Sequence, residues 1–149
     1  MGNATGIRSL PRLPCACASL RRASRAVTQL YDKALRPSGL RTTQFTLLQV
    51  LAHVGEVRQG HLGRALALDS TTLSRTLAPL RRRGWVSIEP GDDRRERRIF
   101  LTPSGRKQLE GAEARWEKVQ ERLRQRLGAG RWDRLVALAD AVVAATRRE

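Results

Sequence analysis

The sequence predicts a mainly α-helical chain of the α+β class, in which a series of helices is interrupted by one small β-hairpin. Three observations predict it. Apolar residues recur every three or four positions from Cys15 to Leu80, strict alternation replaces that period between Trp85 and Thr102, and helical spacing returns in two long stripes from Leu109 to Val143.

Each element follows in order. Residues 1–14 contain two prolines and no periodicity, which predicts a flexible N-terminal arm. From Cys15 to about Leu35, Leu20, Ala23, Val27, Leu30, Tyr31 and Ala34 share one helical face while Arg21, Arg22 and Arg25 point elsewhere. Pro37 and Gly39 stop that helix. A second helix is expected from Thr42 or Thr43 to about Val54, burying Phe45, Leu47, Leu48 and Leu51 and ending at Gly55. A third, weakened by Gly60 and Gly63, covers about Gln59 to Ala67 with Leu62 and Leu66 on one side.

The stretch "DSTTLSRTLAPLRRRGW" opens a fourth helix, capped by Asp69 or Ser70. Leu73, Leu77 and Leu80 face inward, which leaves Ser70, Thr71, Ser74, Arg75 and Ala78 outward. Pro79 forfeits a backbone hydrogen bond, so the last turn is expected to bend and the first two turns to be the best formed. Beyond Gly84, "WVSIEP" and "RRIFLT" alternate, with Val86 and Ile88 answered by Ile99 and Leu101 across the arginine-rich tip "GDDRRER". Thr102 caps a long helix with Pro103 at its first position, striped by Leu109, Ala112, Trp116, Val119, Leu123 and Leu127. After Gly128 a last helix, Arg131 to Arg147, turns Trp132, Leu135, Val136, Ala139, Val142 and Val143 inward. These two stripes carry more apolar surface than one small chain covers, which favours packing on a second copy over packing on each other alone.

Composition restricts the partners. A chain of 149 residues is one domain, and 29 Lys+Arg against 14 Asp+Glu leave a net charge of +15, which points to a polyanion, nucleic acid foremost. No stretch approaches the roughly 18 apolar residues of a membrane span, and the start lacks a signal peptide's apolar segment, so a cytoplasmic protein is expected. The only histidines, His53 and His61, adjoin neither cysteine in sequence; there is no phosphate-cradling loop, metal cluster or paired carboxylate set, so neither an enzyme nor a cofactor is expected.

Two helices joined by the tight "LALDS" connection and followed by a charged hairpin make a winged helix-turn-helix. Over about residues 15 to 147 the sequence resembles the MarR-family transcriptional regulators, on the strength of "STTLSRTLAPLRRRGWV" and the wing "PGDDRRERRIFLTPSG", where Asp93, Arg95, Leu101 and Thr102 match the family's Asp-x-Arg wing and following Leu-Thr. The resemblance implies residues 15–149 as a single MarR-like domain, with 15–37 and 103–149 as dimerisation helices and 42–102 as the winged DNA-binding part. It implies a homodimer on double-stranded, pseudopalindromic operator DNA, with two recognition helices in successive major grooves and two wings at the flanking minor grooves. It also implies a small-molecule pocket between the dimerisation helices and the winged domain.

The residue chemistry agrees with that expectation. Ser70, Thr71, Thr72, Ser74 and Arg75 are the candidate groove contacts, because hydroxyls serve phosphates or base edges and a guanidinium fork matches guanine O6 and N7. At the wing, Arg95 oriented by Asp93 suits the narrow minor groove, with Arg94 and Arg97 as competitors. Arg81, Arg82 and Arg83 are either phosphate contacts or charges favoured at a helix C-terminus. Cys15 and Cys17, at i and i+2, are badly placed to bond each other; near Arg12, Arg21 and Arg22 at a helix start they are candidates for oxidant sensing, for soft-metal binding between subunits, or for plain interface packing. The function read from these residues is a sequence-specific dimeric DNA-binding regulator, a repressor released by a small-molecule, oxidant or soft-metal effector. The alternative is a nonspecific architectural DNA-binding protein.

Overall fold

A computed structural model describes residues 15–93 and 96–146. The elements run α1 (Ala16–Leu35), a 3-10 turn (Arg36–Ser38), α2 (Thr42–Val54), β1 (Val57–Arg58), α3 (Gln59–Ala65), α4 (Ser70–Arg82), β2 (Val86–Pro90), β3 (Arg97–Leu101), α5 (Pro103–Leu127) and α6 (Ala129–Thr146). The α+β winged helix-turn-helix predicted from the alternation and the helical stripes is present. The expected N-terminal arm, residues 1–14, lies outside the described residues.

Two elements of the segment from α2 to β3 differ from expectation. The hairpin is part of a three-stranded antiparallel sheet in the order β1-β3-β2, with Val57 opposite Ile99 and Arg58 opposite Arg98. A two-residue strand is too short to show alternation, so nothing in the sequence marked it. The hairpin register sets Val86 against Leu101 and Ile88 against Ile99, as the apolar pattern required. Helix α4 is continuous to Arg82 with Pro79 inside it, longer than the two good turns expected. Its end is closed by bonds that do not need the missing amide: Arg83 N–H donates to Pro79 O at 3.2 Å and Trp85 N–H to Leu80 O at 3.0 Å.

One core joins the helices to the sheet. Leu35, Leu40, Phe45, Leu47, Leu48 and Leu51 pack with Leu62, with Leu73, Leu77 and Leu80 of α4, with Val86 and Ile99 of the sheet, and with Leu109 and Ala112 of α5. Trp116 stacks on Phe45 with ring centroids 5.7 Å apart. The helix-turn-helix crossing depends on Gly63, where a Cβ would meet Leu68 O at 3.1 Å and Leu73 Cδ2 at 3.5 Å. Glycine there weakens α3 as a helix but lets the α3–α4 turn close.

Helix α5 is welded to the α4–β2 turn. The Thr102 hydroxyl accepts from Gly105 N–H at 3.0 Å and donates to Gly84 O at 2.6 Å, while Thr102 N–H donates to Trp85 O at 3.1 Å. This brings α5 so close that a Cβ on Gly105 would lie 2.0 Å from Trp85 O. From there α5 runs outward beside α1, where the Tyr31 hydroxyl donates to Gln120 Oε1 and burial raises the Tyr31 pKa.

The terminal helices are poorly covered. Leu20 and Val27 of α1 and Leu135, Val136, Leu138 and Val142 of α6 are exposed, Leu138 to 65%, and α6 has no buried residue. The apolar set predicted for the last helix therefore does not face inward within one chain. Placing alanine at residue 105 (Gly105→Ala) is expected to cost about 3 kcal/mol, the upper range for overpacking, because backbone rather than a flexible side chain blocks the methyl. Urea denaturation checks it; an unchanged midpoint would show that α5 does not sit this tightly on the turn.

Candidate nucleic-acid interface

Helix α4 is built to show one face and bury the other. Leu73, Leu77 and Leu80 have at most 1% exposure, so the rotation of the helix is fixed by about 1.5–3 kcal/mol of burial per leucine. Ser70, Thr71, Thr72, Ser74, Arg75 and Ala78 are all exposed. At the N-terminus, Asp69 rather than Ser70 is the cap: its carboxylate accepts from Thr72 N–H at 2.8 Å and from the Thr72 hydroxyl at 2.6 Å. Those bonds, led by the side-chain hydroxyl, hold the Asp69 carboxyl below its ordinary value. The Thr72 proton is thereby committed within the chain, and only the oxygen's lone pairs are left to a ligand. Ser74 accepts from Gln59 Nε2 at 3.2 Å, a link from α3 to α4 that the sequence did not reveal.

The arginines after Leu80 separate into two groups. Arg81 and Arg82 line a cleft of about 460 Å³ between α4 and the wing, together with Ser74 and Arg97. Arg83 turns away: its Nη1 donates to Gly39 O at 2.8 Å and its guanidinium lies 4.8 Å from the centroid of the Trp85 ring. Nearer the start of α4, along the same side of the helix, a cleft of about 630 Å³ is lined by Arg58, His61, Arg64, Ser70 and Arg97 among others. Arg97 borders both clefts.

The wing is braced by ion pairs. Arg98 Nη1 meets Glu56 Oε1 at 2.9 Å, its Nη2 donates to Asp92 Oδ2, and Arg58 Nε meets Glu96 Oε1 at 2.6 Å. Individually such pairs contribute about 0–1 kcal/mol, but here they tie the wing's tip to the end of α2 and to β1. Sequence reasoning missed Arg98 because one partner, Glu56, lies far away in the chain, just after α2. Asp93 is exposed in the turn, its carbonyl accepting from Glu96 N–H at 2.8 Å. Arg94 and Arg95 lie outside the described residues.

The segment from α2 to β3 is joined to the terminal helices at one corner. Asp32 of α1 accepts from Thr42 N–H at 2.7 Å and from the Thr42 hydroxyl at 2.8 Å, and lies 3.5 Å from Arg41, so it caps α2 from a different helix. Burial alone would raise the Asp32 carboxyl; the Thr42 bonds and the Arg41 charge outweigh it and hold the group below its ordinary value. Gln108 of α5 donates to Ser38 O, and Arg83, at the C-cap of α4, to Gly39 O, at the same corner.

Cys15 and Cys17 are exposed free thiols where α1 begins. Among the described residues, no group of three or more His, Cys, Asp or Glu is placed to hold a metal, and no helix is long and apolar enough to cross a membrane.

This is the arrangement of a winged helix-turn-helix regulator. A model of the MarR family matches residues 38–96, and the chain belongs to that family. Over 90% of its length it is 37% identical to the M. tuberculosis transcriptional regulator MosR solved in complex with DNA, covering 97% of that chain with a TM-score of 0.81. It is also 28% identical over 104 residues to the uncharacterized HTH-type transcriptional regulator YwoH of Bacillus subtilis (strain 168), spanning 70% of this chain and 76% of the relative. The likeness to wild-type MarR from E.coli, at 22% identity over 87% of this chain and 97% of that one with a TM-score of 0.66, speaks for the fold alone. The protein is thus a MarR-family transcriptional regulator and not an enzyme.

Asp32→Asn is expected to destabilise the protein at neutral pH by about 1–2 kcal/mol, through loss of charge-assisted bonds. Because the folded-state value is lowered, the carboxylate's contribution is complete above the ordinary value of 3.8 and is lost as pH falls through the depressed value. The variant should therefore show a weaker fall in stability below that pH, measured by urea unfolding across an acid series. Parallel curves for parent and variant would refute the cap.

Proposed function

We propose that the protein is a dimeric, sequence-specific DNA-binding regulator that represses by occluding a promoter. The observation that carries this reading is the α4 face: four exposed hydroxyl residues and Arg75 turned outward over a leucine-backed helix, bordered by basic clefts. MosR, at 37% identity, was solved in complex with DNA, which supports the same partner here. In this reading Ser70, Thr71, Thr72, Ser74 and Arg75 meet the major groove, while the wing with Asp93, Arg94, Arg95 and Arg97 reaches the minor groove. Arg75 is assigned to a guanine edge.

Residues 15–37 and 103–149 act as dimerisation helices and 42–102 as the reading head. The exposed Leu20, Val27, Leu135, Val136, Leu138 and Val142 supply the apolar surface for the second copy. Two heads must sit about 34 Å apart to read half-sites one turn apart, so an effector that rotates the dimerisation helices lowers affinity. Cys15 and Cys17, exposed on α1, are the sensing residues in this reading, for an oxidant or for a soft metal bridged between subunits. The charge of +15 favours a second reading, a nonspecific architectural binder.

Competition binding separates the two: a regulator prefers one pseudopalindrome by about a thousandfold, an architectural protein does not. Arg75→Ala should weaken operator binding by about 10- to 100-fold, the 1–3 kcal/mol of one bidentate base contact, and leave the melting temperature alone. Equal loss on random DNA would demote Arg75 to a phosphate contact. Leu138→Glu should convert the dimer to a monomer in sedimentation, and a parent that already sediments as a monomer would end the dimer reading. Treatment with peroxide or arsenite should weaken operator binding by the parent and not by a double Cys15→Ser, Cys17→Ser variant; the same response in both would remove the cysteines from sensing.

A further inference from the structure

A second basic site lies away from the reading head. Between α1 and α5 a groove of about 350 Å³ is lined by Leu30, Lys33, Ala34, Arg115, Lys118, Val119 and Arg122. None of these residues belongs to the segment from α2 to β3. The floor is apolar: Val119 is buried, and Leu30 and Ala34 are half-buried against α5. Its rim is four exposed cations, Lys33 on α1 facing Arg115, Lys118 and Arg122 on α5.

The charges on α5 stand at i, i+3 and i+7, a spacing that puts them on one face and makes them repel. Around this groove no ion pair is formed among the described residues. Four like charges gathered over an apolar floor with no internal counter-ion make a site whose missing component is an anion with an apolar body.

We propose that this groove binds an amphipathic organic phosphate. Two guanidinium forks and two ammonium groups supply more donors than one carboxylate can use, whereas a phosphate monoester carries nearly two charges and three acceptor oxygens. The size is that of a small ligand pocket, which suits a molecule of about a dozen non-hydrogen atoms. Its apolar tail lies on Leu30, Ala34 and Val119, and its phosphate is held at the rim. Bound there, it bridges α1 and α5, the two helices that lead from the reading head to the ends of the chain.

Calorimetry and thermal unfolding of the full chain, without DNA, test this with n-octyl phosphate as the probe. Octyl phosphate should bind with a dissociation constant below about 1 mM and raise the melting temperature with concentration, while inorganic phosphate and octanol should each bind at least about tenfold more weakly. A Lys118→Gln, Arg122→Gln double variant should lose affinity at least about tenfold while melting no lower than the parent in the absence of ligand, since it loses a repulsion. Arg124→Gln, also on α5 but outside the groove, should bind like the parent.

The proposal is overturned if octyl phosphate does not bind, as it would not if a second copy fills the groove. Inorganic phosphate binding as tightly would also overturn it, since the floor would then contribute nothing, and so would a double variant that binds like the parent. Operator binding is left untouched by any of these results.

Discussion

Burial of Leu73, Leu77 and Leu80 beneath α4 is the interaction on which the rest depends. These leucines enter the same core as Phe45, Leu48 and Leu51 of α2, Val86 and Ile99 of the sheet, and Leu109 of α5. A helix held by three buried side chains at i, i+4 and i+7 has no freedom to roll, so the side chains on its opposite face are aimed by apolar packing and not by polar contacts of their own. That division leaves Ser70, Thr71 and Arg75 free to be spent on a ligand. Asp69 holds the first turn, and Thr72 gives its proton to that cap, which is why Thr72 is the least available of the hydroxyls on the exposed face.

The same core would be of little use if the reading head hung loosely from the terminal helices. Three side chains meet the backbone where α1 turns into α2: Asp32 caps Thr42, Gln108 of α5 holds Ser38 O, and Arg83, just past the end of α4, holds Gly39 O. Arg83, one of three consecutive arginines, thus serves the corner, and its position over Trp85 places it beside the turn on which α5 is seated. A displacement of α1 against α5 has a direct bonded route to the end of α4.

Charge is distributed unevenly over this frame. Around α4 the cations border clefts, while at the base of the wing Arg58 and Arg98 are taken up by Glu56, Asp92 and Glu96 and give the hairpin a fixed attitude. The terminal helices carry a different kind of surface: the apolar residues of α6 and of the first half of α1 lie open.

Much of this was legible in the residues themselves. The leucine spacing in "TTLSRTLAPL" determined which face of α4 is buried, and the alternation of Val86, Ile88, Ile99 and Leu101 determined the hairpin register, because in both cases a one-residue error would put an entire apolar row into water. Gly84, Thr102 and Pro103 marked the ends of elements through local backbone chemistry. Only the tertiary structure decided the rest. The strand at Val57, the Asp32 cap on α2, the commitment of Arg83 to Gly39 and of Arg98 to Glu56 each join residues 10 to 44 positions apart. A period in one segment reports which way that segment faces and nothing about which distant group it meets. An arginine bound to a carbonyl and an arginine waiting for a phosphate are the same letter until the chain has folded.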